Sequence, residues 1–185
     1  MDGQKKNQLV GLDIGSHSIK LVEIDDSKKG MVLKNFGIIG LPKDAIVEGS
    51  VKEMEVAASA LKQLYKNLNV KNKNVATSIS GFSVIVKKIS ISKREDAELE
   101  SSIQEEAEQY IPFDISDVNL DYEILTGEEE VEKEEGEEEE AKEEQDSGLM
   151  DVMLVAAKKD IIEDYESLIH LAGLNPVVIC LLYTS

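Results

Sequence analysis

Apolar positions change their period several times along the chain, and each change marks an element. Residues 8–14 (QLVGLDI) are a short apolar run closed by Gly15, which predicts a buried strand followed by a tight turn. Residues 18–25 (SIKLVEID) set Ile19, Leu21, Val22 and Ile24 against Lys20 and Glu23, a second strand. DDSKKG over 25–30 has turn composition, and MVLKNFGII over 31–39 predicts a third strand. Strands joined by such short turns make an antiparallel meander. After Leu41-Pro42 the period lengthens. Met54, Ala57, Ala58, Leu61, Leu64, Tyr65 and Leu68 recur three and four residues apart, so 51–68 reads as an amphipathic helix, with Ser50 and Glu53 spaced as a capping box. Residues 74–80 (NVATSIS) return to a strand, giving the order β-β-β-α-β.

Gly81 opens a second stretch. Val84, Val86, Ile89 and Ile91 predict one or two strands, and 94–110 a charged helix with Leu99, Ile103, Ala107 and Tyr110 on one side, stopped by Pro112. Residues 117–125 alternate as a strand, 149–157 (LMDVMLVAA) read as a strongly buried one, and 158–172 as a helix with Gly173 at its C-cap. A last strand begins at 175–179. CLLYTS over 180–185 does not continue the pattern, reads as a non-native tail, and suggests a truncated reading frame.

Composition changes this picture in two places. The net charge of −18 is concentrated: residues 128–146 carry 13 acidic residues and two lysines, a net of −11, which leaves −7 for the rest. Such a run repels itself and lacks apolar residues, so 128–147 is expected to be a disordered acidic loop. No basic stripe argues for nucleic acid. The single cysteine, Cys180, excludes an internal disulfide framework and suits a reducing compartment. The start, MDGQKKNQL, has no apolar signal region behind its lysines, and no apolar run reaches the ~20 residues a membrane helix needs.

The chemistry concentrates in Val10 to Glu23, VGLDIGSHSIKLVE. Gly15 allows the backbone to approach a ligand closely. The amides of Gly15, Ser16 and His17 can form an anion-binding nest, Ser16 and Ser18 add hydroxyl donors, and Lys20 adds a positive charge. Asp13 would repel a phosphate directly and is suited to holding Mg²⁺, directly or through water. By spacing alone, D-x-G-S is equally what an ordinary β-turn carries, and neither a G-x-x-x-x-G-K-[ST] loop nor G-x-G-x-x-G is present. The remaining candidates are weaker. His17 reads more simply as an exposed loop residue. Tyr110, Ile111 and Phe113 at the helix exit read either as a hydrophobic plug or as the lip of a peptide groove.

In its context between the first two strands, LVGLDIGSHSIKLVEI resembles the first phosphate loop of the actin-like ATPase superfamily. LPKDAIVEGSVKE (41–53), EEAEQYIPFDISDVNLDYEIL (105–125) and AGLNPVVI (172–179) are similar to the PilM family within it. The resemblance implies an α/β fold with a ribonuclease-H-like actin-type subdomain of β-β-β-α-β-α-β order, formed by 1–80 and 148–179, and a small inserted α+β subdomain at 81–127. The second half of the actin-like fold would lie outside the chain. By position it implies that Asp13 binds Mg²⁺ through water, that Gly15, Ser16, His17 and Ser18 bind ATP phosphate, and that Lys20 contacts phosphate with its side chain. The expected function is an ATP-binding cytoplasmic adaptor, with at most weak ATPase activity and no catalytic base identified in this chain. It would bind the cytoplasmic N-terminal peptide of PilN beside other inner-membrane pilus proteins, with Tyr110, Ile111 and Phe113 at the peptide groove. An FtsA-like division tether and a sugar kinase of the same superfamily are the alternatives.

Overall fold

The computed structural model describes residues 8–27, 30–81, 84–93, 96–125 and 148–181. They form two units, each with its own core: one made by the chain up to Val84 and from Ala157 onward, the other by Ile85–Ala156. The acidic loop expected at 128–147 lies outside the described residues.

In the first unit, β1 (Val10–Ile14), β2 (Ser18–Ser27) and β3 (Gly30–Gly40) form the expected antiparallel meander. β6 (Asn74–Ile79) pairs parallel to β1, and β10 (Asn175–Leu181) parallel to β6. The result is a mixed sheet of order β10-β6-β1-β2-β3, the ribonuclease-H-like arrangement. Alternation along β1, β2 and β6 puts Val10, Leu12, Ile14, Ile19, Leu21, Val75 and Ile79 on one face. Helices α1 (Met54–Leu68) and α3 (Lys159–Leu171) pack there, closing a core through Ala57, Ala58, Leu61, Leu64, Leu168 and Ile169. Neither helix is long and apolar enough to cross a membrane.

Helix ends follow local chemistry, with one surprise. Gly173 (φ 79°) stands one residue past the α3 cap: its amide donates to the His170 carbonyl (2.8 Å) and that of Leu174 to the Ile169 carbonyl (3.1 Å), a Schellman closure. Ser50, by contrast, does not cap α1. A hairpin, β4 (Ile46–Val47) and β5 (Ser50–Val51), occupies the approach, and its pairing of Val47 with Ser50 holds that serine in a strand. The turn residues Glu48 and Gly49 both have positive φ, as the tightest hairpin turn requires. α1 starts with Glu53 at the cap position and no side-chain cap bond.

The second unit contains β7 (Val84–Ser92), α2 (Asp96–Ala107), a 3-10 turn (Ile115–Asp117), β8 (Val118–Leu125) and β9 (Leu149–Lys158), in a sheet of order β7-β9-β8. This corrects the expected boundary. β9, assigned from sequence to the first subdomain, is the middle strand of the second unit's sheet. Val152, Leu154 and Ala156 sit in its core with Ile89, Leu99 and Ile103. The inserted unit therefore runs to Ala156 and not to 127. At the other end, β10 continues through Cys180 and Leu181, paired with Ser78 and Ile79, two residues past the expected end of the native pattern.

Candidate functional site

The β1–β2 hairpin builds the site from its register. Ile14 pairs with Ile19 and Asp13 with Lys20, so the turn consists of Gly15, Ser16, His17 and the start of β2. Because partners directly across an antiparallel pair share a face, Asp13 and Lys20 project together. Lys20 Nζ donates to Asp13 Oδ2 at 2.6 Å, with both side chains about half exposed (57% for Asp13, 48% for Lys20). An exposed pair of this kind contributes little to stability. It is a solvent-facing charge arrangement next to a turn.

The turn itself departs from the expected nest in one respect. The Gly15 amide is taken by the Ser18 carbonyl (3.1 Å), so in this conformation it is not offered to an anion. Nor is Gly15 in the left-handed region, and an added Cβ would meet only the Ser18 carbonyl oxygen at 3.5 Å, an ordinary contact. The conformational reason for glycine is therefore absent here. Ser16 and His17 are exposed, and among the described residues no backbone carbonyl accepts from their amides. The His17 carbonyl accepts from Leu41 N–H at 2.8 Å, which ties the turn to the end of β3.

Two residues that sequence reasoning passed over hold the strand that carries Asp13. Thr77, buried on β6, donates its hydroxyl to the Leu12 carbonyl at 3.1 Å. Tyr165 of α3 donates to the Ile14 carbonyl at 3.3 Å. Burial, and then the negative charge of Asp13, raise the Tyr165 pKa. The only sequence signals were a threonine at a core position of β6 and a tyrosine on the inward stripe of α3, both ordinary in a core.

Asp13 and Lys20 open on the sheet face away from α1 and α3. A cavity of about 350 Å³ lies there, bounded by Gly11, Val22, Phe36, Ala76 and Cys180 beside the ion pair. That size is at the lower end for small-molecule sites. Among the described residues no three His, Cys, Asp or Glu side chains gather as a metal cage. One carboxylate is nonetheless what Mg²⁺ takes when a phosphate and water complete its shell. An exposed carboxylate, an ammonium and two uncommitted amides at one hairpin end are a donor set that fits a Mg²⁺-phosphate group.

The other predicted residues lie in the second unit. Ile111 is buried in its core (4% exposed) and Phe113 packs against that core, which answers to the plug reading for both. Tyr110 is the exposed one of the three, at 43%, while Phe113 is half-buried.

A chain from a solved PilM-PilN type IV pilus biogenesis complex is 31% identical, with a TM-score of 0.73 over 94% of this chain and 47% of that one. The cytoplasmic domain of EpsL, an inner membrane component of the type II secretion system of Vibrio cholerae, aligns with a TM-score of 0.55 at 11% identity, covering 94% of this chain and 56% of that domain, a likeness of fold alone. This chain thus spans about half the length of the structures it matches. A family model described as type IV pilus assembly protein PilM matches residues 11–182. The chain belongs to the PilM family of type IV pilus assembly proteins.

Proposed function

We propose that this chain supplies the first phosphate-binding wall of an ATP-binding adaptor in type IV pilus assembly. The observation that carries the reading is the β1–β2 hairpin end. Asp13 and Lys20 are paired at 2.6 Å beside a turn whose Ser16 and His17 amides have no backbone acceptor among the described residues. On this reading ATP with Mg²⁺ supplies the negative charge and the cation that the turn is shaped to receive. The Ser16 and His17 amides and the Ser16 and Ser18 hydroxyls donate to phosphate oxygens, and Gly15 keeps the approach open. With such a group bound, Lys20 would contact a phosphate oxygen in place of Asp13, and Asp13 would help hold the Mg²⁺ through water. No residue of this chain is assigned as a catalytic base, so the proposal is nucleotide binding rather than efficient hydrolysis. The bound nucleotide would act as a hinge-type switch between two conformations.

The proposed partner is the cytoplasmic N-terminal peptide of PilN, by likeness to the solved PilM-PilN complex. Through it the protein would sit at the inner face of the cytoplasmic membrane, among the other inner-membrane pilus proteins. Tyr110 is the residue of the predicted groove that such a peptide could touch. Family membership favours this reading over a division tether or a sugar kinase.

The test is an equilibrium titration of a fluorescent ATP analogue with Mg²⁺. It would use a protein that carries this chain together with the rest of the family's length. Asp13→Ala is expected to weaken binding at least about tenfold, roughly 1.4 kcal/mol. Unchanged affinity would overturn the role given to Asp13.

A further inference from the structure

Glu23 is a carboxylate that the fold buries, at 7% exposed. It lies on β2 opposite Asn35, yet the next pair is Ile24 with Leu33, so Lys34 is an extra residue on β3. Consecutive strand residues ordinarily point to opposite faces. At this bulge both turn to the same carboxylate: Lys34 Nζ donates to Glu23 Oε1 at 3.1 Å and Asn35 Nδ2 to Oε2 at 2.6 Å. Bulges bend the strand that carries them and sharpen its twist. Past this one, every described residue of the hairpin arm, Ile24–Ser27 and Gly30–Leu33, is exposed, with Met31 at 78% and Leu33 at 62%. Gln8 Nε2 also donates to Asp25 Oδ1 of the arm, at 2.8 Å. On the inner side of Glu23 stands Tyr65 of α1, whose buried hydroxyl has no hydrogen-bond partner among the described residues.

We propose that Glu23 is a latch: by gripping two consecutive residues of β3 it fixes the bulge, and the bulge sets the direction of a movable arm formed by Ile24–Ser27 and Gly30–Leu33. The latch is one-sided. Removing its charge frees Lys34, whose side chain is already 58% exposed, into water. Removing a donor instead leaves the buried carboxylate short of partners, which is unfavourable. Glu23→Gln should therefore loosen the arm locally, whereas Asn35→Ala should destabilise the unit as a whole.

Amide hydrogen exchange on the intact 185-residue chain distinguishes these. In Glu23→Gln, exchange of amides in 30–36 is expected to accelerate at least about tenfold, with β1 and α1 changed less than about twofold. Unaltered arm exchange would overturn the latch. So would equal acceleration throughout the unit, which would make Glu23 only a part of general stability. If Glu23→Gln does not fold, Glu23→Met, which also removes the charge, gives the same reading: faster exchange confined to the arm supports the latch, and no change or equal acceleration throughout the unit overturns it.

Discussion

Two tyrosines reach from the helices toward the same sheet, and their hydroxyls meet opposite fates. Tyr165 donates to the Ile14 carbonyl, just before the β1–β2 turn. Tyr65 ends in a buried spot with no acceptor among the described residues. A hydroxyl buried with a partner contributes about 1 kcal/mol, and one buried without a partner is a liability of about the same size. Tyr165→Phe should thus lower stability by about 1 kcal/mol, while Tyr65→Phe should leave it unchanged or raise it by up to ~1 kcal/mol, measured by urea unfolding near neutral pH. Equal losses in both would mean that the Tyr65 hydroxyl has a partner after all. The pair also sets the alkaline limit. Burial raises both pKa values above the ordinary 10.0, with the charge of Glu23 adding to the effect on Tyr65 and that of Asp13 to the effect on Tyr165. The folded chain then keeps protons that the unfolded chain releases. This stabilisation is complete below about pH 10 and is lost as pH rises through that value toward the folded pKa. The unfolding midpoint should fall above about pH 10, and fall less in Tyr65→Phe.

Elements meet at contacts that only some side chains allow. α1 crosses β3 at Gly37, where a Cβ would come within 2.8 and 3.1 Å of the two Leu68 methyls and 3.2 Å of Leu64 Cδ1. A leucine tip can give way, so Gly37→Ala should be nearly neutral to about 1 kcal/mol destabilising. Gly37→Val, which cannot be absorbed that way, should cost about 1–3 kcal/mol in chemical denaturation. A fully stable Gly37→Val chain would mean that the helix slides freely along the sheet. Elements like α1, α3 and β1–β3 were legible because each carries its own period, whereas the Asp13–Lys20 pairing was not read, although it follows from the hairpin register. β4 and β5 are too short to show a period, and Glu48 is not a residue that advertises a positive φ. The sheet to which β9 belongs was not legible either. LMDVMLVAA reads as a buried strand wherever it pairs, and the acidic run before it suggested a border that the pairing with β7 and β8 does not respect. At the site, the Gly15–Ser18 bond and the supports from Thr77 and Tyr165 depend on contacts distant in sequence or on the closed turn, which no local pattern encodes.

At the scale of the whole molecule, the question is how much of a nucleotide site this length of chain can hold. The first unit offers a carboxylate, an ammonium and a turn with exposed amides, all suited to phosphate and Mg²⁺, and the cavity beside them is bounded mainly by Gly11, Val22, Phe36 and Ala76. Binding sites for molecules of nucleotide size usually enclose most of the ligand surface, because open contacts with phosphate compete with water. The chain spans 47% of the related PilM chain, and one wall of exposed donors is a weak site. The 185-residue chain by itself is therefore expected to bind ATP with Mg²⁺ no more tightly than about 1 mM, corresponding to about −4 kcal/mol, and to give no measurable heat at micromolar concentrations in calorimetry. The longer protein should bind far more tightly and in a way that depends on Asp13. A tight, Mg²⁺-dependent complex with the 185-residue chain alone would reverse the argument. It would place the adenine-recognising surface within these residues, and the open sheet face around Phe36 and Val22 would be the first region to probe by substitution.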